Sequence, residues 1–374
     1  MRIALIDPGA YTPPYDDHLA SALAARGHDV HLLTAPYRFG TTPEPDGYLR
    51  EELFFRASSR LFRRSPARLP LKAVEYVAGM RQALRRVDEL QPDVVHVQWL
   101  FRRPDVDVRW LRRLSRPSVF TAHDLAVALD RRPEDWRRVF ETVDRVVVHS
   151  RRGVEQLGRL GLSPERVVRI PHAAFAGPAG ETAPPSGSTL LVFGLVREYK
   201  GIDVLLEALP DIVRAVPDVR VVVAGDPLDP VGPLQEQAER IGVADRVEWR
   251  LRFVEEAEAR ELMAQAAAVV LPYRRRVDSS GVLASALGHG RPVVVSDVGN
   301  LGETVEEFGT GEVVPPEDPT SLAEACVRLL TDGERLRRAF EGARAARAAL
   351  TWEAAAESHE RLYAAIVQPS VPSG

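Results

Sequence analysis

Lysine is nearly absent from this chain. Among 374 residues there are 47 arginines and only two lysines, Lys72 and Lys200. Cysteine is scarcer still. The single Cys326 excludes an internal disulfide framework and fits a reducing compartment. Its setting, "SLAEACVRLL", reads as the apolar side of a helix, so a core role is expected. No window approaches the ~20 apolar residues of a membrane span, and "MRIALI" is too short for a signal-peptide apolar region. A cytoplasmic protein is expected, with membrane contact only at the inner surface. The formal net charge of −4 carries no global nucleic-acid signature. No His, Cys or Asp cluster has metal-ligand spacing, so no metal is expected. Asp105-Val-Asp107 mimics a DxD motif but opens a helix, where it reads as chance capping. No GxGxxG follows a strand, so the dinucleotide fingerprint is not met and a two-domain oxidoreductase is disfavoured.

What the chain does have is alternation. Short β-branched runs at 2–6, 29–34, 93–97, 118–122, 145–150 and 166–170 are near-continuously apolar, as strands covered on both faces should be. Amphipathic helical patterns such as 17–26, 70–90 and 151–160 lie between them. Residues 176–188, "AGPAGETAPPSGS", have no periodicity and read as a linker. The alternation then restarts at 189–193, 220–224, 246–250, 268–272, 292–296 and 311–315. Two doubly wound α/β domains follow from this pattern. The first spans 1–175 and the second 189–350. The gap between two such domains is a natural ligand cleft.

Open α/β sheets bind ligands outside the carboxyl ends of their strands, so the loops after strands carry the information. In "FGLVREYKGIDVLLEAL", Gly194 ends a strand and a helix begins near Gly201. Arg197 and Lys200 lie on the short turn between them. Two cations at a helix start make a diphosphate site, able to steady a phosphate as it leaves. A lysine in so arginine-rich a chain looks selected for its compact charge on a flexible stem. A solvated turn is the competing reading. After the strand at 268–272, Asp278-Ser279-Ser280-Gly281-Val282 opens another helix, where free backbone N–H groups can hold an anion or merely be capped. Gly225 ends a third strand, and Glu303 follows a fourth. In the first domain, Gly9 sits in "DPGAYTPPYDDH", and "TAHD" puts His123 and Asp124 at a strand end. That pair can bond sugar hydroxyls or a reacting oxygen, or simply cap a strand.

Taken in order, these blocks resemble the retaining glycosyltransferases of family 4, the "glycosyl transferases group 1", which have the GT-B fold. The C-terminal half carries the most specific part: "FGLVREYKGIDVLLEAL", "RVVVAG", "FVEEAEARELMAQAAAVVLPY", "SSGVLASALGHGRPVVVSDVGNLGE" and "GEVVPPEDPTSLAEACVRLL". "ALAARGHDVHLLT", "PDVVHVQW" and "TAHD" support it in the N-terminal half. The resemblance implies two Rossmann-like doubly wound domains facing a central cleft. A C-terminal helix at about 351–368 would return to the first domain. It implies a hexosyl- or glycosyltransferase of carbohydrate or glycoconjugate biosynthesis. A sugar would move from a nucleotide-diphosphate sugar to a sugar, lipid-linked or small-molecule hydroxyl, with retention and without a cofactor. Arg197 and Lys200 would bind the donor diphosphate at the turn opened by Gly194. Gly225, Arg252, Phe253 and Val254 would frame the base. Ser279, Ser280, Gly281 and Val282 would hold phosphate and sugar. Gly9 would lie over the phosphate and His123 would touch the donor sugar.

Departures are visible too. Leu195 occupies a place where many members have arginine, and the two glutamates common in the family are missing. The "SSGV" form matches a subset that lacks them, with Glu303 a candidate substitute. An inverting GT-B enzyme is one alternative and would draw a base from Asp16, Asp17 or His18, with Asp124 also on the acceptor side. A non-catalytic sugar-nucleotide-binding partner subunit is another. Between Arg50 and Arg86 ten Arg or Lys stand against three Asp or Glu, interleaved with Leu53, Phe54, Phe55, Leu61 and Phe62. This face could lie on an anionic membrane or simply cover the acceptor side.

Overall fold

A computed structural model describes residues 1–37, 43–61, 68–100, 104–175, 177, 184–185, 187–274 and 278–367, with the side chains of 59–61, 68–70, 104 and 131 excepted. Most of the expected linker therefore lies outside the described residues, as do Phe62 and the side chain of Leu61. The chain forms two compact units. The first comprises Met1–His149, Gly153–Pro171 and Trp352–Gly374, and the second Ser150–Arg152 and His172–Thr351. The boundary thus precedes the expected 175. Ala174 donates its backbone N–H to Leu350, and Phe175 to Ala284, which ties this segment to the second unit.

The first unit holds a seven-stranded sheet: β1 (Arg2–Asp7), β2 (Asp29–Thr34), β3 (Leu49–Glu52), β4 (Val94–Val97), β5 (Ser118–Thr121), β6 (Arg145–Val148) and β7 (Val167–Arg169). Their order is β3-β2-β1-β4-β5-β6-β7, and every pairing is parallel. The central strands are buried along their length, as their Val and Ile runs require. The edge strand β3, "LREE", has no such run, and its Leu49 is exposed. That explains why hydrophobic patterning does not reveal it. Val95, Val97, Phe120, Val146 and Val148 pack under helix Arg68–Leu90 and the helices after β4 and β5.

The second unit repeats the plan with six strands: β8 (Thr189–Phe193), β9 (Arg220–Ala224), β10 (Val247–Arg250), β11 (Ala268–Leu271), β12 (Val293–Ser296) and β13 (Gly311–Val314). The order is β10-β9-β8-β11-β12-β13, again all parallel. Separate apolar clusters fill its two faces. Cys326 is fully buried in one of them. The strand order reverses between β1 and β4 in the first unit and between β8 and β11 in the second, so the loops after these strands open the switch-point crevices where such sheets take ligands. No helix among the described residues is long and apolar enough to cross a membrane.

Candidate functional site

In the second unit the turn after β8 is confined by close backbone contacts. After β8 the chain turns at Gly194, forms one tight turn at Glu198–Lys200 and enters helix Ile202–Ala215 through Gly201. Gly201 has φ +63°, and a Cβ there would lie 2.0 Å from the Pro272 carbonyl oxygen. Only glycine satisfies both demands. Gly225 is equally confined, because a Cβ would fall 2.1 Å from the Gly194 carbonyl oxygen. The backbones after β8 and β9 therefore abut.

This turn carries the two cations in different ways. Arg197 is exposed. Lys200 is 2% exposed and donates from Nζ to the Phe193 carbonyl at 2.5 Å, with the Tyr273 ring 5.5 Å away. No ion pair to Lys200 forms among the described residues, and burial pulls its ammonium down to about 7. A buried lysine held so close to neutrality by desolvation alone is poised to gain from an incoming anion.

The loop after β11 brings a second set of donors to the same place. Ser280 caps helix Gly281–Gly288 by accepting the Leu283 N–H at 3.3 Å. Capping leaves the first helical amides, those of Gly281 and Val282, without an intrahelical acceptor. A Cβ placed on Gly194 would meet Lys200 Nζ at 3.0 Å and Val282 Cγ2 at 3.1 Å. The lysine, the glycine turn and the helix N-terminus thus converge on one spot, with positive potential from both the ammonium and the helix. Ser279 lies just outside this cap, half-buried.

Arg274 supports the turn, a role its sequence context did not reveal. It donates to both carboxylate oxygens of Asp203 at 3.0 and 2.6 Å, to the Glu198 carbonyl at 3.0 Å and to Glu317 at 3.2 Å. Its own N–H binds the Tyr199 carbonyl at 2.8 Å. After β10, Arg252 is paired with Glu258, Phe253 is exposed and Val254 packs on the core. Both oxygens of Glu303 accept the Arg151 backbone N–H, at 2.9 and 2.8 Å, at the start of helix Arg151–Arg159.

In the first unit the loop after β1 is organised by a buried carboxylate. Asp7 accepts the N–H groups of Gly9, Tyr11 and Thr12 at 3.0, 2.7 and 3.4 Å. Asp16, almost wholly buried, hydrogen-bonds Asp7, and burial beside that carboxylate pushes its own acid well above the usual range. Burial raises the acid of Asp7 as well, and its three N–H donors offset part of that rise. Asp17 is also turned inward, to the hydroxyls of Tyr37 and Tyr48. Neither of these acceptor-side candidates presents a carboxylate to solvent. His18 lies against Trp352, its Nδ1 2.6 Å from the Pro14 carbonyl oxygen.

His123 and Asp124 follow β5. Asp124 stands at the start of helix Leu125–Arg131 but makes no side-chain cap. The His123 ring is stacked on Trp99 at 5.2 Å and met edge-on by Tyr15 at 4.7 Å. Trp99 is itself fixed by donating to Thr12 Oγ1 at 2.8 Å. The signal that could have exposed Gln98, Trp99 and His149 is their place at the ends of β4 and β6, in "HVQW" and "VVVHS". Among the described residues no group of three His, Cys, Asp or Glu side chains is placed to hold a metal.

With this geometry in hand, the chain can be compared with known proteins. Residues 17–174 match the family model "Glycosyltransferase Family 4", and residues 187–332 match "Glycosyl transferases group 1". The D-inositol 3-phosphate glycosyltransferase of Xylanimonas cellulosilytica is 30% identical over 384 residues, covering 92% of this chain and 89% of the relative. A glycogen synthase of Mycobacterium tuberculosis is 28% identical, with coverage of 93% and 89%. Among solved structures, the sucrose-phosphate synthase of Thermosynechococcus elongatus superimposes with a TM-score of 0.74 at 21% identity, over 98% of each chain. Anabaena HepE, crystallised with UDP and glucose, gives a TM-score of 0.75 at 18% identity, over 98% of this chain and 100% of its own. These two share the fold. Family matches in both halves and a relative aligned nearly end to end converge on one statement: the chain belongs to glycosyltransferase family 4 and is a glycosyltransferase of the GT-B fold.

Proposed function

We propose that the protein transfers a sugar from a nucleoside-diphosphate sugar to an acceptor hydroxyl, with retention at the anomeric carbon. The observation that carries this reading is the approach of the buried Lys200 ammonium and the Val282 side chain, at the start of helix Gly281–Gly288, to the Gly194 turn in the second unit. Two facts about other proteins support it: HepE has been crystallised with UDP-glucose, and the curated relatives are named for sugar transfer.

In this reading the diphosphate sits at the helix N-terminus with Lys200 beneath it and Arg197 at the rim. As the bond between anomeric carbon and diphosphate oxygen lengthens, charge builds on that oxygen. Lys200 and the start of helix Gly281–Gly288 would supply positive potential to that oxygen. The acceptor oxygen forms its bond to the same face of the anomeric carbon, and its proton passes to the departing diphosphate oxygen. The products are the glycoside and the nucleoside diphosphate. The protein's own cations supply the charge neutralisation, and we read the reaction as metal-independent on that ground.

The test is a calorimetric and thermal-shift screen of UDP, GDP, ADP and TDP against wild type and Lys200→Ala. Stabilisation by one nucleotide, lost in the variant, is expected. Undiminished binding in Lys200→Ala would move the diphosphate away from this turn. Proton NMR of the first glycoside formed then reads the anomeric outcome.

A further inference from the structure

The three residues that leave β11 meet, one after another, the turn that carries Lys200. The Pro272 carbonyl oxygen lies so close to Gly201 that a Cβ there would sit 2.0 Å from it. The Tyr273 ring is 5.5 Å from Lys200 Nζ, and its hydroxyl oxygen is 3.3 Å from Ser280 Oγ, the cap of helix Gly281–Gly288. Arg274 donates its backbone N–H to the Tyr199 carbonyl at 2.8 Å and its guanidinium to the Glu198 carbonyl at 3.0 Å.

Arg274 differs from the other two because it brings a charge. Asp203 stands in the first turn of helix Ile202–Ala215, three residues after Lys200. It accepts from both ends of the Arg274 fork, at 3.0 and 2.6 Å. Glu317, after β13, accepts from Nε at 3.2 Å. An uncompensated carboxylate at this helix start would oppose any anion arriving beside Lys200. It would also make the lysine ammonium harder to deprotonate. The guanidinium cancels that charge while its fork braces the turn, a combination that a point charge cannot reproduce. The other charged side chains of the turn and of the segments bonded to it are Arg197 and Glu198, both exposed, and Asp229, which accepts the Glu198 backbone N–H at 2.8 Å.

We propose that Arg274 is a positioning residue that acts through Lys200: its fork ties Asp203 to the turn and cancels the carboxylate's charge, so that Asp203 does not oppose a diphosphate arriving at the lysine. This rests on the reading that the diphosphate lies at this turn. The Arg274–Asp203 pair is partly exposed, so water weakens the effect without erasing it.

The scarcity of lysine supplies the readout. Protein labelled with carbon-13 at the lysine ε-carbon has two lysine signals, Lys72 and Lys200, and Lys200→Ala tells them apart. Burial draws the Lys200 midpoint down to about 7 in the wild type. In Arg274→Gln the uncompensated Asp203 should raise that midpoint by about one pH unit, and adding Asp203→Asn should bring most of it back. An Arg274→Gln variant that titrates as the wild type does overturns the proposal, and so does a shift that persists undiminished in the double variant. Calorimetry with the nucleoside diphosphate selected by the screen adds a second readout. At pH 6, where Lys200 is charged in every variant, affinity should fall about tenfold in Arg274→Gln and recover in the double variant. Arg274→Lys, which keeps the charge without the fork, should recover part of the loss. Asp203→Asn alone should bind the nucleotide no more weakly than the wild type. Losses that add in the double variant would mean that the two residues act separately and sink the proposal. Undiminished nucleotide binding in Lys200→Ala would instead remove the diphosphate from this turn, while the lysine titration still decides whether Arg274 neutralises Asp203.

Discussion

The two units have the same sheet plan and the same reversal of strand order, yet they treat charge in opposite ways at their switch points. In the second unit a lysine is buried with no carboxylate partner among the described residues, beside a helix N-terminus. In the first unit the charges are settled internally. Asp7 accepts three backbone N–H groups, burial beside it raises the acid of Asp16, Asp17 is capped by two tyrosines, and burial lowers the pKa values of His96, His149 and His359. An uncompensated buried charge is a liability that an anionic ligand removes. A compensated network costs little and supplies geometry instead. One fold thus provides a charge trap in one copy and a shaped, largely neutral surface in the other.

The sharpest way to break this contrast is Lys200→Ala. Transfer should fall by about 10²–10³-fold or more, the scale seen when one preorganised donor to a leaving charge is removed. The folded protein should not suffer. Lys200→Met should raise the melting temperature while abolishing nucleotide binding, because it removes a desolvated ammonium and fills the same space. A destabilised Lys200→Met would show that the hydrogen bond to the Phe193 carbonyl outweighs the desolvation of the ammonium and would erase the contrast.

Next comes Gly201→Ala. The new methyl meets the Pro272 carbonyl in a left-handed residue, so a loss of about 2–4 kcal/mol in urea unfolding is expected, together with loss of nucleotide binding.

The pH dependence sharpens the comparison. Lys200 has a folded pKa near 7, below its ordinary value of 10.5. Between these values the unfolded chain binds more protons than the folded one, so this group makes stability rise with pH across that window. Binding has the opposite slope, because a bound diphosphate favours the ammonium. Calorimetry in buffers of different ionisation enthalpy should show proton uptake on nucleoside-diphosphate binding at pH 8 and almost none at pH 6. Affinity should weaken by up to about tenfold per pH unit above 7. Equal proton uptake in Lys200→Ala would assign the effect to another group.

The smallest effects belong to the first unit's carboxyl pair. Asp7→Asn removes the carboxyl acceptor from a loop with three donors and should cost about 2 kcal/mol. Asp16→Asn keeps a neutral donor in place and should change stability by less than about 1 kcal/mol at neutral pH. Because the folded pKa of Asp16 is raised, its contribution is present at low pH and lost as pH rises through that value, so the asparagine variant should gain relative stability at high pH. Equal losses in the two variants would mean that the proton is not on Asp16.

How much of this is legible in sequence follows from locality. Gly194, Lys200 and Gly201 lie within one strand–turn–helix, so their types and order are enough to read a phosphate turn. Strands such as "RVVVA" and "TLLVF" declare themselves by composition, and their observed limits match the pattern. The edge strand "LREE" does not, because one side of an edge strand needs no apolar cover. In the first unit the residues that meet come from separate strand ends: Gln98, His123, His149 and Ile170. Nothing in their spacing reveals that they meet. Asp16, Asp17 and His18 read as candidate bases on the acceptor side. The burial of Asp16 against Asp7 and the clasp of Tyr37 and Tyr48 on Asp17 are tertiary facts. Arg274 opens a run of arginines, and its bidentate grip on Asp203 is a tertiary fact too.

The last described helix, Trp352–Val367, belongs to the first unit although the whole second unit precedes it in the chain. Its Tyr363 hydroxyl sits 2.6 Å from His96 Nδ1 on β4, and its Trp352 packs edge-on against Tyr15. During synthesis the first unit therefore waits, with His96 of β4 uncovered, until the second unit has been made. The second unit can be finished first, and the first is then closed by a helix that follows it in the chain. A nascent chain of this design has long-range closure as its final act, the step that loop entropy makes slowest and that exposes apolar surface longest.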